Sequence, residues 1–347
     1  MKFKLKTLIC IFLATLLLVA CSKNDGEEPN NEGEEKEDLL DDDVVLTYTA
    51  PFTGVVTETE SNLRPVLATI NNHPLARPQS GIGDADIIYE FIAEGNVTRL
   101  LALFQSELPD NIGPIRSARD YFIHLGKGLD AFYVAHGYSP DAQALLQSGT
   151  VDHVNGIQHD GTLFKRSSDR QAPHNSYITN ENILIAAEKT NSSMEIEKMP
   201  PLSFHESIDS AKIGDIAKSI VVQNGTHPNF TSTYTYDDEL GTYERAVNGI
   251  VTIDDANGIE LGLSNVLVFE AEHQTIDNEG RQAINLESGG KGLLFHAGIM
   301  KEIEWENIDG ILTPVENGVP AKLVPGKTWI HIVKTNPGVQ SNVSYTP

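Results

Sequence analysis

The chain has 347 residues, with 49 acidic against 25 basic side chains, a formal net charge of −24, and two cysteines. That balance makes nucleic acid a poor partner, because phosphate backbones are held by clustered cations. The cysteines stand at positions 10 and 21, so the rest of the chain has no disulfide, thiol nucleophile or cysteine-ligated metal.

Lys2, Lys4 and Lys6 precede an apolar run from Leu8 to Ala20. A charged start followed by a run too short to span a bilayer comfortably reads as a signal peptide over residues 1–20. It ends in Leu18-Val19-Ala20-Cys21, small or medium apolar residues before a cysteine, which is the lipobox pattern. The pattern predicts a diacylglycerol on the Cys21 thiol. The competing reading is an ordinary signal peptide that happens to end near a cysteine. Residues 22–43 hold eleven acids and two lysines. Such a stretch buries too little apolar surface to offset its ordering entropy, so residues 21–49 are expected to form an acidic, disordered tether. Its charge would not hold an anionic membrane, so attachment falls to the two acyl chains. The expectation is a protein anchored to the cell membrane, on its extracytoplasmic face.

Val66 to Ile70 reads as a short buried strand, followed by the polar loop 71–81. Ile87 to Ala93 and Thr98 to Gln105 read as a hairpin joined through Gly95-Asn96. Helical spacing of Ala118, Phe122 and Leu125 predicts a helix from Ser117 to Gly126, with Ser117 as its cap. Ala131 to Ala135 is a further buried strand. Ser139-Pro140 opens a helix over 140–147, with Ser at the cap and Pro at the first position. Glu181 to Lys189 follows as a helix capped by Thr179 or Asn180. Beyond Met199-Pro200-Pro201 short alternating runs dominate, including Thr231 to Tyr236, Thr242 to Val247, Asn265 to Phe269 and Thr328 to Val333. Asn248-Gly249 and Asn278-Glu279-Gly280 supply turns. The fold class expected is α+β: an N-terminal α/β domain over 50–199, a β-rich C-terminal domain over 200–336 and a tail over 337–347.

Arginine usage is the most informative signal for a site. Of nine arginines, seven fall between positions 64 and 170, and residues 44–126 contain no lysine. Guanidinium suits planar, two-point recognition of carboxylate or phosphate. The functional reading is an anion site using Arg77, Arg99, Arg116 and Arg119, with hydrogen bonds from Asn72, His73, Gln79, His174 and Asn175. The competing reading pairs the arginines structurally with Asp84, Asp86, Glu90, Glu94 or Asp120. Glu90 and Glu94 stand four apart, and on an extended segment they fall on one face. They are candidates for a general acid and base, as in glycosidases, or for salt bridges. His73, His136 and His174 sit at strand ends or in polar loops, where α/β sheets place their sites. There is no His-x-x-x-His spacing and no Gly-x-Ser-x-Gly elbow, so neither zinc hydrolase nor serine hydrolase chemistry has local support. No metal and no cofactor is expected, although ligands distant in sequence stay open.

An ordered series of segments resembles the YerB-like lipoproteins of Gram-positive bacteria, a family of unknown function. The segments are Arg64-Pro65 with Ile70-Asn71-Asn72-His73-Pro74, Arg77-Pro78-Gln79-Ser80-Gly81, Ala85-Asp86-Ile87-Ile88-Tyr89-Glu90, and Glu94-Gly95 to Thr98-Arg99. Gly113-Pro114-Ile115-Arg116-Ser117-Ala118-Arg119, Pro173-His174-Asn175-Ser176-Tyr177 and Pro325-Gly326-Lys327-Thr328-Trp329-Ile330 complete it. The resemblance implies a lipoprotein of two domains and brings no activity with it. Three functions stay open at this point. The first is binding of a polar or anionic cell-envelope component, either a wall polymer or an envelope protein. The second is a cell-wall glycan hydrolase or lyase using Glu90 or Glu94. The third is a scaffold braced by arginine–carboxylate pairs. Oligomeric state is open.

Overall fold

Val66–Asn71 (β1) is buried along its whole length, in keeping with its largely apolar run. Ile87–Glu94 (β2) and Val97–Phe104 (β3) form the expected hairpin, turning at Gly95 with φ +54°. Asp120–Gly128 (α1) starts three residues after the predicted position. The reason is backbone pairing. His136 N–H donates to the Arg116 carbonyl and Ala118 N–H to the Gly137 carbonyl, which holds 116–118 extended. Ser117 Oγ donates to the His136 carbonyl instead of capping the helix. Phe132–Ala135 (β4) runs parallel to β1, and His153–Asn155 (β5) runs parallel to β4. Pro140–Gln147 (α2) has Ser139 Oγ accepting from Ala142 N–H, and Asn180–Lys189 (α3) is capped by Thr179. The computed structural model describes residues 46–225 and 227–347. The signal peptide, Cys21 and nearly all of the expected tether lie outside the described residues.

The second half contributes Ser219–Gln223 (β6), Thr231–Asp237 (β7), Thr242–Val247 (β8) and Ile250–Val251 (β9). Asn265–Ala271 (β10), Gly290–His296 (β11), Ile299–Ile308 (β12), Ile311–Glu316 (β13) and Val319–Pro320 (β14) follow. Thr328–Lys334 (β15) and Val343–Thr346 (β16) complete the set. One large sheet has the order β14-β13-β12-β11-β10-β15-β2-β3-β1-β4-β5. β15 is parallel to both neighbours, with seven register pairs to β10 and five to β2. The sheet therefore passes without a break through the position near 200 where the sequence pattern changes. A strand from near the C-terminus is its centre, and Trp329, Ile330, His331, Ile332 and Val333 are buried there on both faces.

Each face of this sheet carries its own core. On one face the smaller sheet β9-β8-β7-β6-β16 brings Ile220, Tyr234 and Tyr243 into a cluster with Trp329, Val268 and Ile88. On the other, α1 and α2 bring Phe122, Leu125 and Leu146 against Tyr89, Phe91 and Ile330. α1 also touches the β12–β13 turn closely: a Cβ on Gly128 would fall 2.0 Å from the Gly310 carbonyl oxygen. Lys198 Nζ donates to the Gly128 and Asp309 carbonyls at the same joint.

Two boundaries differ from expectation. The segment read as a tail over 337–347 contains β16, whose Val343 and Tyr345 lie opposite Val222 and Ile220 of β6. Its alternating Val343-Ser344-Tyr345 is too short to stand out locally, and it is fixed by a partner 121 to 127 residues upstream. The tether expected over 21–49 gives way to paired backbone before its end, where Tyr48–Thr49 pairs with Val56–Thr57.

Candidate functional site

The two candidate catalytic carboxylates do not share a face. A bulge between Ile92 and Glu94 places two residues of β2 against one of β3, which shifts the side-chain alternation by one. Glu90 consequently binds Thr98, whereas Glu94 binds Arg99, its neighbour on the opposite face of β3. The same-face expectation fails because period-two reasoning assumes an unbroken ladder.

Glu90 is 0% exposed. Its Oε1 accepts from Asn72 Nδ2 at 3.1 Å and from Thr98 Oγ1 at 2.8 Å. Its Oε2 accepts from Arg245 Nη2 and Trp329 Nε1, both at 3.2 Å. The Arg245 guanidinium also stacks 4.0 Å from the centre of the Trp329 ring. Burial pushes the Glu90 carboxyl up, but Arg245, helped by His331, Thr98 and Arg77, outweighs this and holds it below its ordinary value. An ionised, sealed carboxylate has no proton to give and no route to a substrate. Asn72 Oδ1 accepts from Arg77 Nε and Gln79 Nε2, both at 3.0 Å, so three predicted ligand-binding residues belong to this network. Arg77 spends its remaining reach on the Asn72 and Asn229 carbonyls. A cleft of about 420 Å³ opens beside them, lined by Arg77, Gln79, Arg245, Val247 and Ile250. Of its two arginines, Arg245 is paired with Glu90, and Arg77 donates to Asn72 and to the Asn229 carbonyl.

Glu94 accepts from both Arg99 and Arg119 through Oε1. Arg99 also donates to the Ser117 carbonyl. Burial pushes Arg99 down to about 10, which leaves it charged at neutral pH. These two arginines brace the β2–β3 hairpin against the 117–119 segment. Asn175 is likewise committed: Oδ1 accepts from Arg166 Nη1 at 3.1 Å, and Nδ2 donates to the Ser167 and Arg170 carbonyls.

Arg116 differs from the rest. Among the described residues its guanidinium donates to no acceptor and has no salt-bridge partner, although it is half-buried. Its position follows from how the strands part. β1 and β4 pair from Val66 to Ala68, and beyond that the chain around Arg116 threads between them. Arg116 N–H donates to the Thr69 carbonyl on one side, and its carbonyl accepts from His136 N–H on the other. The point where parallel strands separate at their C-terminal ends is where open sheets place ligands. Burial, then repulsion from Arg99, pushes Arg116 down to about 10. Beside it His73 and His174 stack, with ring centroids 4.6 Å apart and planes 22° apart. Burial, then neighbouring cations including Arg116, lowers both from the ordinary histidine value.

The sequence-derived site thus divides into a network around Glu90, a brace around Glu94, and one open group made of His73, Arg116 and His174. Sequence reasoning missed Arg245, Trp329 and His331, which complete the Glu90 network. The available signal was weak: Arg245 is one of two arginines after residue 199. It also missed Asn71, which meets the His174 ring and the His73 backbone. Asn71 Nδ2 meets His174 Nδ1 at 2.9 Å, and its Oδ1 accepts from His73 N–H.

Two family models match the chain. "Protein of unknown function (DUF3048) N-terminal domain" covers residues 52–193, and "Protein of unknown function (DUF3048) C-terminal domain" covers residues 220–330. The Bacillus subtilis (strain 168) protein described as "Putative lipoprotein YerB" is 40% identical over 333 residues, 95% of each chain. The crystal structure of the YerB protein from Bacillus subtilis matches with a TM-score of 0.79 and 41% identity, covering 86% of this chain and all of that one. With this similarity along nearly its whole length, the chain belongs to the DUF3048 family of YerB-like proteins, with a β-rich, two-domain architecture.

Proposed function

We propose that this protein is a lipid-anchored binding protein of the extracytoplasmic face, which holds an anionic group of a cell-envelope component and does not cleave it. The lipobox at Cys21 and the acidic tether support the anchor, and the relative described as a lipoprotein agrees with it. The parallel run β1-β4-β5, with α1 and α2 between and beside its strands, supports an α/β reading of the N-terminal half. Its strand ends are the natural place for a ligand.

The observation that carries the binding reading is Arg116, a half-buried guanidinium with no acceptor among the described residues. A half-buried cation without a protein partner has lost part of its hydration, and a bound anion offsets that loss. Glycan hydrolysis loses its support, because Glu90 is sealed in an ion pair and Glu94 is shared by two arginines on the other face. Incubation of the full chain with purified cell wall tests the proposal. Retention without soluble fragments, lost in Arg116→Ala and kept in Arg77→Lys, is expected. Release of fragments by the wild type, or retention indifferent to Arg116→Ala, would overturn it. Palmitate labelling that disappears in Cys21→Ser is expected of the anchor.

A further inference from the structure

The hydrogen bonds around His73 and His174 decide which ring nitrogen carries the proton. Asn71 Oδ1 accepts from the His73 backbone N–H at 3.0 Å, so the other end of that amide, Nδ2, is the donor that meets His174 Nδ1 at 2.9 Å. His174 Nδ1 is therefore an acceptor. His73 Nδ1 is also an acceptor, because it takes the Leu75 backbone N–H at 3.2 Å. In a neutral imidazole the other nitrogen then holds the hydrogen. Both rings present an Nε2–H, and neither has an acceptor for it among the described residues. His136 has the reverse arrangement. Arg166 Nη2 donates to its Nε2 at 3.1 Å, so its Nδ1–H points to Ser176 Oγ at 2.7 Å, and the ring is fully used internally.

The open group thus offers two imidazole N–H donors and a guanidinium fork, none of them bonded to an acceptor among the described residues. The charged groups acting on His73 are Arg77 and Arg116, and His73 and then Arg116 act on His174. No carboxylate is among the groups acting on either ring or on Arg116. Two consequences follow. A metal ion is disfavoured, because ligation through Nε2 requires that nitrogen to be free of hydrogen. An anion that keeps a proton fits less well, because no acceptor among the described residues receives that proton. The matching ligand has several acceptor oxygens arranged in three dimensions and no proton of its own.

We infer that His73, Arg116 and His174 form a recognition site for the phosphodiester group, the linking unit of a phosphate-bridged envelope polymer. This rests on the anion-binding reading above and deepens it by naming the group. A phosphodiester carries one negative charge, two free acceptor oxygens and two bridging ones, and it never holds a proton at working pH. A phosphomonoester fits less well as pH falls, because its second ionisation near neutrality gives it a hydrogen that this site cannot accept. Sulfate, which has no proton, should not be rejected.

Calorimetric titration of the full chain at pH 7.5 and low salt tests this. The probes are dimethyl phosphate, poly(glycerol phosphate), inorganic phosphate, sulfate, acetate and zinc chloride. Expected are saturable binding of dimethyl phosphate and sulfate, tighter binding of the polymer through repeated diesters, and weaker binding of acetate. Arg116→Ala and His174→Ala should each weaken binding about tenfold or more, as loss of a charge-assisted contact does. His174→Gln, which keeps a donor near the Nε2 position, should recover much of it, and this separates lost recognition from lost folding. Acetate binding equal to or above the diester would overturn the phosphodiester assignment and leave the anion-binding reading standing. No binding of any anion would overturn both. Stoichiometric zinc binding abolished by His73→Ala would overturn the donor-only assignment.

Discussion

Arg245→Met removes the cation that faces Glu90 and keeps an unbranched side chain. The pair is buried, with side-chain exposures of 3% and 0%, so the carboxylate left behind has no water to turn to. Breaking such a pair costs about 3–5 kcal/mol. The protein limits that cost by taking up a proton at Glu90. From the ordinary Glu value of 4.5, protonation costs about 3.4 kcal/mol at pH 7 and about 0.7 kcal/mol at pH 5. In the variant the folded-state pKa of Glu90 lies above its unfolded value. Its contribution is then present at low pH and is lost as pH rises, so the gap to wild type widens by about 2.7 kcal/mol between pH 5 and pH 7. For roughly 300 folded residues, 1 kcal/mol corresponds to about 1.6 °C, which makes the extra drop in Tm about 4 °C. Thermal and urea unfolding of both proteins at the two pH values reads this directly. A loss below about 1 kcal/mol at pH 7, as exposed ion pairs give, would refute the buried-charge argument. So would a loss that is the same at pH 5.

Three further outcomes follow from the same geometry. Gly128→Ala drives a methyl group into the Gly310 carbonyl, with Cβ placed 2.0 Å from that oxygen, and should cost about 1–3 kcal/mol in urea unfolding. Wild-type stability would show the contact to be absent. His273 and His331 are pushed down to about 4 by burial, and His296 to about 3. The unfolded chain therefore takes up protons first, and wild-type stability should fall as pH drops below about 6.5, by about 1.4 kcal/mol per unit for each of these histidines. A flat unfolding midpoint between pH 7 and pH 5 would contradict their neutral burial. Dimethyl phosphate affinity should rise as pH falls, because protonation of His73 and His174 adds charge beside Arg116 while the ligand keeps its own. An unchanged or falling affinity would place the ligand elsewhere.

What was legible beforehand depended on the range of the interaction that determines it. α2 could be read because Ser139 and Pro140 act within one turn of the helix they start. The β2–β3 hairpin could be read because its alternation and its glycine turn are contiguous. The start of α1 could not, since Ser117 and Ala118 are claimed by the end of β4 before the helix can include them. β15 was recognisable as a strand, but its pairing with β2 joins Trp329 to Ile88 across 241 residues, and nothing in either segment announces the other. The arginine enrichment was a true signal with a mixed cause. Arg99 and Arg119 brace Glu94, Arg77 ties the loop after β1, and Arg116 alone of the four has no acceptor among the described residues. Separating them needed the bulge at Ile92–Glu94 and Arg245, which comes from the second half of the chain.

The central claim is that His73 and His174 present Nε2–H donors beside an uncommitted Arg116. Nitrogen-15 correlation spectra of the histidine rings, recorded at pH 7.5 with and without dimethyl phosphate, measure it most directly. The account predicts the Nε2–H tautomer for both rings and the Nδ1–H tautomer for His136. Addition of the diester should shift the His73 and His174 signals and leave His331 in place. An Nδ1–H tautomer at His73 or His174, or shifts confined to other histidines, would contradict it.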